Sequence, residues 1–214
     1  YNFRFCQSML SLRDSLTSGV IGSVLAVRAE VGQFLPDWRP GADYRTAVSA
    51  RANLGGGVVL ELSHELDYIR WLVGEVEAVS AWVGRVSDLE IDVEDMAEIT
   101  LRFRSGAIGN VHLDMIQRSP VRTCRVIGSE GTLLWDGISH RVDLYSARTQ
   151  NWSNLYEDEN MNCGRVMYIE EIRHFLDCVK KRQTPLVTGE DGLRALEIAL
   201  AAKRSSADGR EVLL

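Results

Sequence analysis

Residues 55–74 read GGGVVLELSHELDYIRWLVG. The three glycines let the backbone turn sharply and approach another group closely, and a helix follows them. Leu62, Leu66, Ile69 and Val73 recur at i, i+4, i+7 and i+11, the stripe of a helix with one side against a core. Glu61, His64 and Asp67 stand three residues apart, so they project from neighbouring positions on successive turns. At about 100° per residue, His64 falls nearly opposite the apolar stripe. Glu61, Tyr68 and Trp71 lie to one side of the stripe and Asp67 to the other. A solvated helix face seldom carries Tyr and Trp, so a ligand, a loop or another domain is expected to cover it.

The flanking sequence reads as a scaffold for that helix. Residues 1–5 look strand-like. Met9, Leu12 and Leu16 mark a short helix that stops at Gly19, and residues 24–34 alternate as a strand. Residues 35–54 form a long polar and aromatic loop with Pro36 and Pro40, a length that is usually functional or disordered. From residue 76 to 145 the period is two. Ala97, Ile99, Leu101 and Phe103 alternate with Glu98, Thr100, Arg102 and Arg104. Turns are expected at Ser105–Gly106, around Gly128 and Gly131, and at Asp136–Gly137. This predicts four to six antiparallel strands.

Two helices close the chain. Ile169, Ile172, Leu176 and Val179 form the stripe of the first, with Lys180, Lys181 and Arg182 at its C-terminal end. In the second, Thr188 and Asp191 approximate a capping box, Leu193, Leu196 and Leu200 face inward, and Gly209 ends the segment. Strands in succession with helices set apart predict an α+β fold: an open, mostly antiparallel sheet with helices on one face. The whole of 1–214 reads as a single domain.

The 214 residues are 45% hydrophobic and 25% charged, a globular balance. A net charge of −6 argues against nucleic acid, because there is no cationic excess to neutralise phosphates. No apolar run spans a bilayer and no signal peptide is present, so the expected place is the cytoplasm. Cys6, Cys124, Cys163 and Cys178 show no CxxC spacing. Reduced thiols are expected, with no disulfide framework and no metal site. The chain begins at Tyr1 with no initiator methionine, and reads as a fragment of a longer polypeptide. No G-x-G-x-x-G follows a strand, and there is no phosphate loop, H-E-x-x-H or G-x-S-x-G. The chain's own motifs supply neither a nucleotide site nor an activated nucleophile.

The stretch GGGVVLELSHELDYIRWLVG resembles the hallmark helix of the Gfo/Idh/MocA family of NAD(P)-dependent oxidoreductases. YNFRF at the start, SGVIGSVLAVRAEVG after it, and PLVTGEDGLRALEIALAAKRSSADGREVLL at the end resemble that family's remaining segments, in family order. The resemblance implies the C-terminal substrate and oligomerisation domain, built on an open antiparallel sheet, without the N-terminal Rossmann domain that binds NAD or NADP and carries the catalytic lysine. By the same resemblance His64 exchanges a proton with a substrate hydroxyl as hydride leaves, and imidazole suits that role. Glu61 matches the family's orienting acid loosely, since the common pattern is Asp four residues before His. Asp67 falls where an acid often touches a sugar hydroxyl.

The resemblance also makes Trp38, Arg39 and Tyr44, in the long loop, and Arg4, beside Asn2, candidate substrate contacts. Gly55, Gly56 and Gly57 would lie near the nicotinamide of the intact protein. Cys6 stands where a histidine is frequent. The implied reaction is reversible oxidation of a secondary alcohol of a sugar, sugar derivative or polyol. The chain alone is expected to bind no cofactor and to be inactive. A homo-oligomer through the open sheet face is implied, with Trp82, Ile108 and Val79 as apolar interruptions of that face. Two alternatives stay open. The chain could be a non-catalytic binding or assembly module that kept the fold, and the candidate residues could serve packing alone. His112, His140 and His174 are assigned to structure, and Trp135 and Trp152 to the sheet or an interface.

Overall fold

The alternation of residues 76–145 resolves into six strands, and strands before and after it widen the sheet to nine. A computed structural model describes residues 1–159 and 162–214. Its strands are β1 (Val24–Gly32), β2 (Val76–Gly84), β3 (Met96–Phe103), β4 (Ile108–Asp114), β5 (Val121–Gly128), β6 (Gly131–Asp136), β7 (Arg141–Ser146), β8 (Asn151–Glu157) and β9 (Val212–Leu213). Among the described residues they form one sheet in the order β8-β7-β6-β5-β1-β4-β3-β2-β9. β1 runs parallel to β4, and every other pairing is antiparallel. A parallel pair needs a long crossover. The chain from residue 33 to 107 supplies it, and that crossover contains the hallmark helix.

One sheet face is buried. Val27 stands between Gly109 and Val126, and Ala29 between Val111 and Cys124. With Ile99, Leu101 and Leu113 these build the core under the helices. The helices are α1 (Gln7–Thr17), α2 (Val58–Glu61), α3 (His64–Val73), α4 (Cys163–Lys181) and α5 (Gly189–Asp208). α3 packs on β1 and α5, α5 on β2, and α1 across β6, β7 and β8. The opposite face carries Arg28, Glu30, Glu98, Asn110, His112 and Arg125 around a shallow pocket. His112 lies 3.0 Å from Asp114 through Nε2 and 2.6 Å from Glu98 through Nδ1. These bonds, Asp114's first, raise its pKa to about 9. None of the described helices is long and apolar enough to cross a membrane.

Several expectations change. Residues 2–5 form a 3-10 turn rather than a strand. Val79 is fully buried and faces the core, whereas Trp82 and Ile108 stand on the open face. The expected stripes of α4 and α5 exist but do not face this sheet: Ile172 is 61% exposed, Val179 60% and Leu200 51%. α5 buries Ala195, Ile198, Ala199, Ala201 and Ala202 instead, and the four alanines let it lie close on β2. β8 escapes the alternation because nearly all its side chains are exposed.

Cys6 and Cys163 are joined in a disulfide with their Cα atoms 5.9 Å apart, whereas four reduced thiols were expected. The bond joins positions 157 residues apart, a closeness that local spacing could not reveal. The capping box at Thr188 is formed as expected, with Asp191 N–H donating to Thr188 Oγ1 and Thr188 N–H to Asp191 Oδ2.

Candidate functional site

The hallmark helix is broken. α2 ends at Glu61, and α3 starts at His64 after Leu62 (φ −103°, ψ 28°) leaves helical geometry. The break separates the three side chains expected on one face. The glycines set the entry. Gly57 has φ 112°, a backbone that L side chains rarely adopt, and a Cβ on Gly56 would meet the Val48 carbonyl oxygen at 2.1 Å. Gly56 therefore closes against this chain's own loop.

His64 lines a cavity of about 270 Å³ with Trp38, Gln33, Leu62, Arg122 and Ile138. The ring meets Tyr1 and Phe3 edge to face at 5.5 and 5.4 Å. Nδ1 is shielded and has no hydrogen-bond partner among the described residues. Burial, assisted by the Arg122 charge, lowers the His64 pKa to about 4, so the imidazole is neutral at pH 7. Trp38 walls the cavity with its ring fixed, Nε1 donating to the Gln33 carbonyl at 2.9 Å. Arg122 stands 2.9 Å from Glu65 through Nε, and its guanidinium lies 4.6 Å over the Phe3 ring. Glu65 is fully buried, and burial raises its carboxyl above the usual range against the pull of Arg122.

The other candidates divide. Arg39 and Tyr44 line a neighbouring cavity of about 190 Å³ enclosed by the long loop, with Trp38 shared between the two spaces. Tyr44 is tied down there, its hydroxyl accepting from the Glu90 backbone N–H at 3.3 Å. Glu61 accepts a 2.6 Å hydrogen bond from Ser49 Oγ. It holds the loop onto α2, and no hydrogen bond or ion pair to His64 is found among the described residues. Arg4 and Asp67 meet each other. Arg4 Nη2 donates to Asp67 Oδ1 at 2.6 Å and Nε to Oδ2 at 3.1 Å, with both side chains at 3% exposure or less. Arg4 Nη2 reaches on to Asp191 at 3.2 Å, and Arg70 Nη1 joins the same Asp191 oxygen at 2.9 Å.

The N-terminal segment therefore supplies most of the cover expected over the polar face of α3. Phe3 packs on Tyr68, which is fully buried, and the Arg13 guanidinium stacks 4.2 Å over Trp71. His64 alone of the trio is left beside a cavity.

Gln33 and Arg122 line the site without having been singled out. Arg122 sits at an ordinary alternating position of β5 and carries no motif. Gln33 ends β1 where the long loop begins, and that junction was the available signal.

The model of the oxidoreductase family C-terminal alpha/beta domain matches residues 13–214. The chain belongs to the Gfo/Idh/MocA family. It is 30% identical to myo-inositol 2-dehydrogenase of Thermotoga maritima over its whole length, and spans 63% of that protein. It is 31% identical to the NAD(+)-dependent scyllo-inositol 2-dehydrogenase of Bacillus subtilis, over 74% of this chain and 48% of that one. Among solved structures, levoglucosan dehydrogenase in complex with NADH and levoglucosan superposes with a TM-score of 0.86 at 20% identity, covering all of this chain and 65% of the other. The chain thus spans less than two thirds of the relatives it matches. The family model that matches is that of the C-terminal domain, the part that here holds His64 and its cavity.

Proposed function

We propose that residues 1–214 are the substrate and oligomerisation domain of an NAD(P)-dependent dehydrogenase that oxidises or reduces a secondary alcohol of a sugar, sugar derivative or polyol. The observation that carries the reading is the neutral imidazole of His64 beside a cavity walled by Trp38, Gln33 and Arg122. A pyranose or cyclitol offers a flat apolar face and a ring of hydroxyls, and an indole plane with amide and guanidinium donors suits both. A neutral imidazole can accept the hydroxyl proton, and with Nδ1 shielded, Nε2 is the nitrogen left to do so. Gly56 and Gly57 are packed by the chain's own Val48 and Glu94, so the cofactor's phosphates are assigned to a separate nucleotide-binding domain. A bound nicotinamide supplies the hydride acceptor. This chain orients the alcohol and takes its proton.

The exposed apolar faces of α4 and α5 support the missing partner. Ile169, Ile172 and Leu176 on one helix and Leu193, Leu196 and Leu200 on the other are two apolar stripes on a free surface, and the extra length of the relatives supplies a domain to cover them. A binding or assembly module remains the second reading, favoured by the hydrogen bond that engages Glu61 with Ser49. Steady-state assays decide between them. The full-length protein, given NAD or NADP and a panel of cyclic polyols and pyranoses, should reduce the nucleotide with at least one of them. A silent panel in both directions rejects the dehydrogenase, while the 214-residue chain alone is expected to be silent throughout.

The open sheet face is assigned to self-association. Trp82 and Ile108 stand exposed among its charged residues, as an interface core stands within a polar rim. Light scattering on the full-length protein should give a dimer or larger mass, and Trp82→Asp should lower it. A monomer at high concentration would remove this part of the reading.

A further inference from the structure

Three side chains that the proposed reaction does not use converge from distant parts of the chain. Cys6 precedes α1, His140 lies in the turn between β6 and β7, and Cys163 is the first residue of α4. Their ligand atoms all lie within 4.8 Å of one another. Both cysteines are buried, and Cys6 Sγ stands 3.6 Å from His140 Nδ1. His140 is one of only three non-glycine residues with positive φ among the described residues, at 53°. Its turn thus holds the imidazole toward the sulfurs in a conformation that few such residues adopt.

We propose that, once the Cys6–Cys163 bond is reduced, Cys6, His140 and Cys163 form a binding site for a zinc-class divalent cation. Two thiolates and an imidazole are the donor set such an ion prefers over oxygen-binding cations. Zinc bonds of about 2.3 Å to sulfur and about 2.1 Å to nitrogen, at tetrahedral angles, separate the two ligands by about 3.6 Å. Cys6 and His140 already have that separation. The two sulfurs need about 3.8 Å between them, which side-chain rotation provides with Cα atoms 5.9 Å apart. A fourth position goes to water, as at sites with three protein ligands.

The chemistry balances without a hidden reactant. A dithiol reductant attacks the disulfide, gives two electrons and two protons to the cysteines, and is itself oxidised to a disulfide. The cation then forms two metal–sulfur bonds and one metal–nitrogen bond, and the two thiol protons leave to solvent. The disulfide and the metal are mutually exclusive states of one site. The loaded site ties the N-terminal segment, the β6–β7 turn and the start of α4 together. Gly137 and Ile138 of that turn line the His64 cavity, so the metal braces one wall of the cleft.

Zinc titration of the full-length protein tests this. After reduction and removal of reductant under anaerobic conditions, the protein should take up one zinc per chain from a chromophoric chelator, with a rise in melting temperature. Cobalt in place of zinc should give a thiolate-to-metal charge-transfer band. His140→Ala and Cys163→Ser should each weaken zinc on the order of tenfold or more, and diamide-oxidised protein should take up none. The half-buried position of His140 lets that variant keep its fold, checked by circular dichroism. Absence of stoichiometric zinc on the reduced protein, loss of fold on reduction, or wild-type affinity in both variants would overturn the proposal.

Discussion

His64→Ala in the full-length protein should lower the proposed dehydrogenase turnover by about 10²–10⁴-fold, the usual worth of a positioned proton acceptor, while the fold survives. The imidazole stands beside the cavity with a pKa near 4, so above that pH it carries no proton and can take one. The loss should fall on kcat more than on KM, because proton transfer belongs to the transition state and most of the cavity wall is untouched. His64 should be protonated near pH 4 in the free enzyme, so its contribution to the pH profile of kcat/KM lies there and not near the ordinary 6.5. The stability side has a definite sign. An unfolded histidine protonates near 6.5 and the folded one near 4. As pH falls through that window the unfolded chain gains the proton first, and stability declines. His64→Ala removes that slope. Turnover within a few-fold of the wild type would end the assignment.

Arg4→Ala should destabilise the domain by about 3–5 kcal/mol, the cost of leaving one partner of a buried pair uncompensated. The Asp67 carboxylate is 1% exposed, with Arg4 bonded to both of its oxygens. Burial pushes its carboxyl up and Arg4 pulls it back, so removing Arg4 leaves burial and the Asp191 charge opposed only by the N-terminal ammonium. For a domain of this size the loss corresponds to a drop of about 6–20 °C in melting temperature. Replacing both residues together, as Arg4→Met with Asp67→Leu, should cost much less than the single change, because no orphan charge remains. Thermal melts of the three proteins measure this. A loss of substrate affinity with unchanged melting in Arg4→Ala would return both residues to the substrate site.

The contrast between these two results marks where the sequence could be read and where it could not. Alternation of Ala97, Ile99, Leu101 and Phe103 located β3 because a period of two has one structural meaning. The glycine and turn signals at Gly106, Gly131 and Gly137 located hairpins for the same reason. What covers Asp67 and Tyr68 was not legible, because position around a helix says which side chains share a face and not what lies over it. Both faces of α3 are covered, one by the sheet and one by residues 1–5, and that cover is a contact across more than 60 residues. The stripes of α4 and α5 failed in the opposite sense: the period was right, and the described residues leave them exposed. The break at Leu62 and Ser63 left no proline or glycine to mark it, so Glu61 and His64 read as one helix and belong to two. Cys6 and Cys163 met through tertiary folding alone.

The central claim is the placement of the His64 ring against a substrate hydroxyl. A crystal structure of the full-length protein with its nicotinamide nucleotide and a polyol that it turns over should show a hydroxyl within about 3 Å of a His64 ring nitrogen, the reach that proton transfer requires, and the polyol ring against Trp38. A polyol bound with its reacting hydroxyl elsewhere, or a His64 ring closed off from the ligand, would contradict the account.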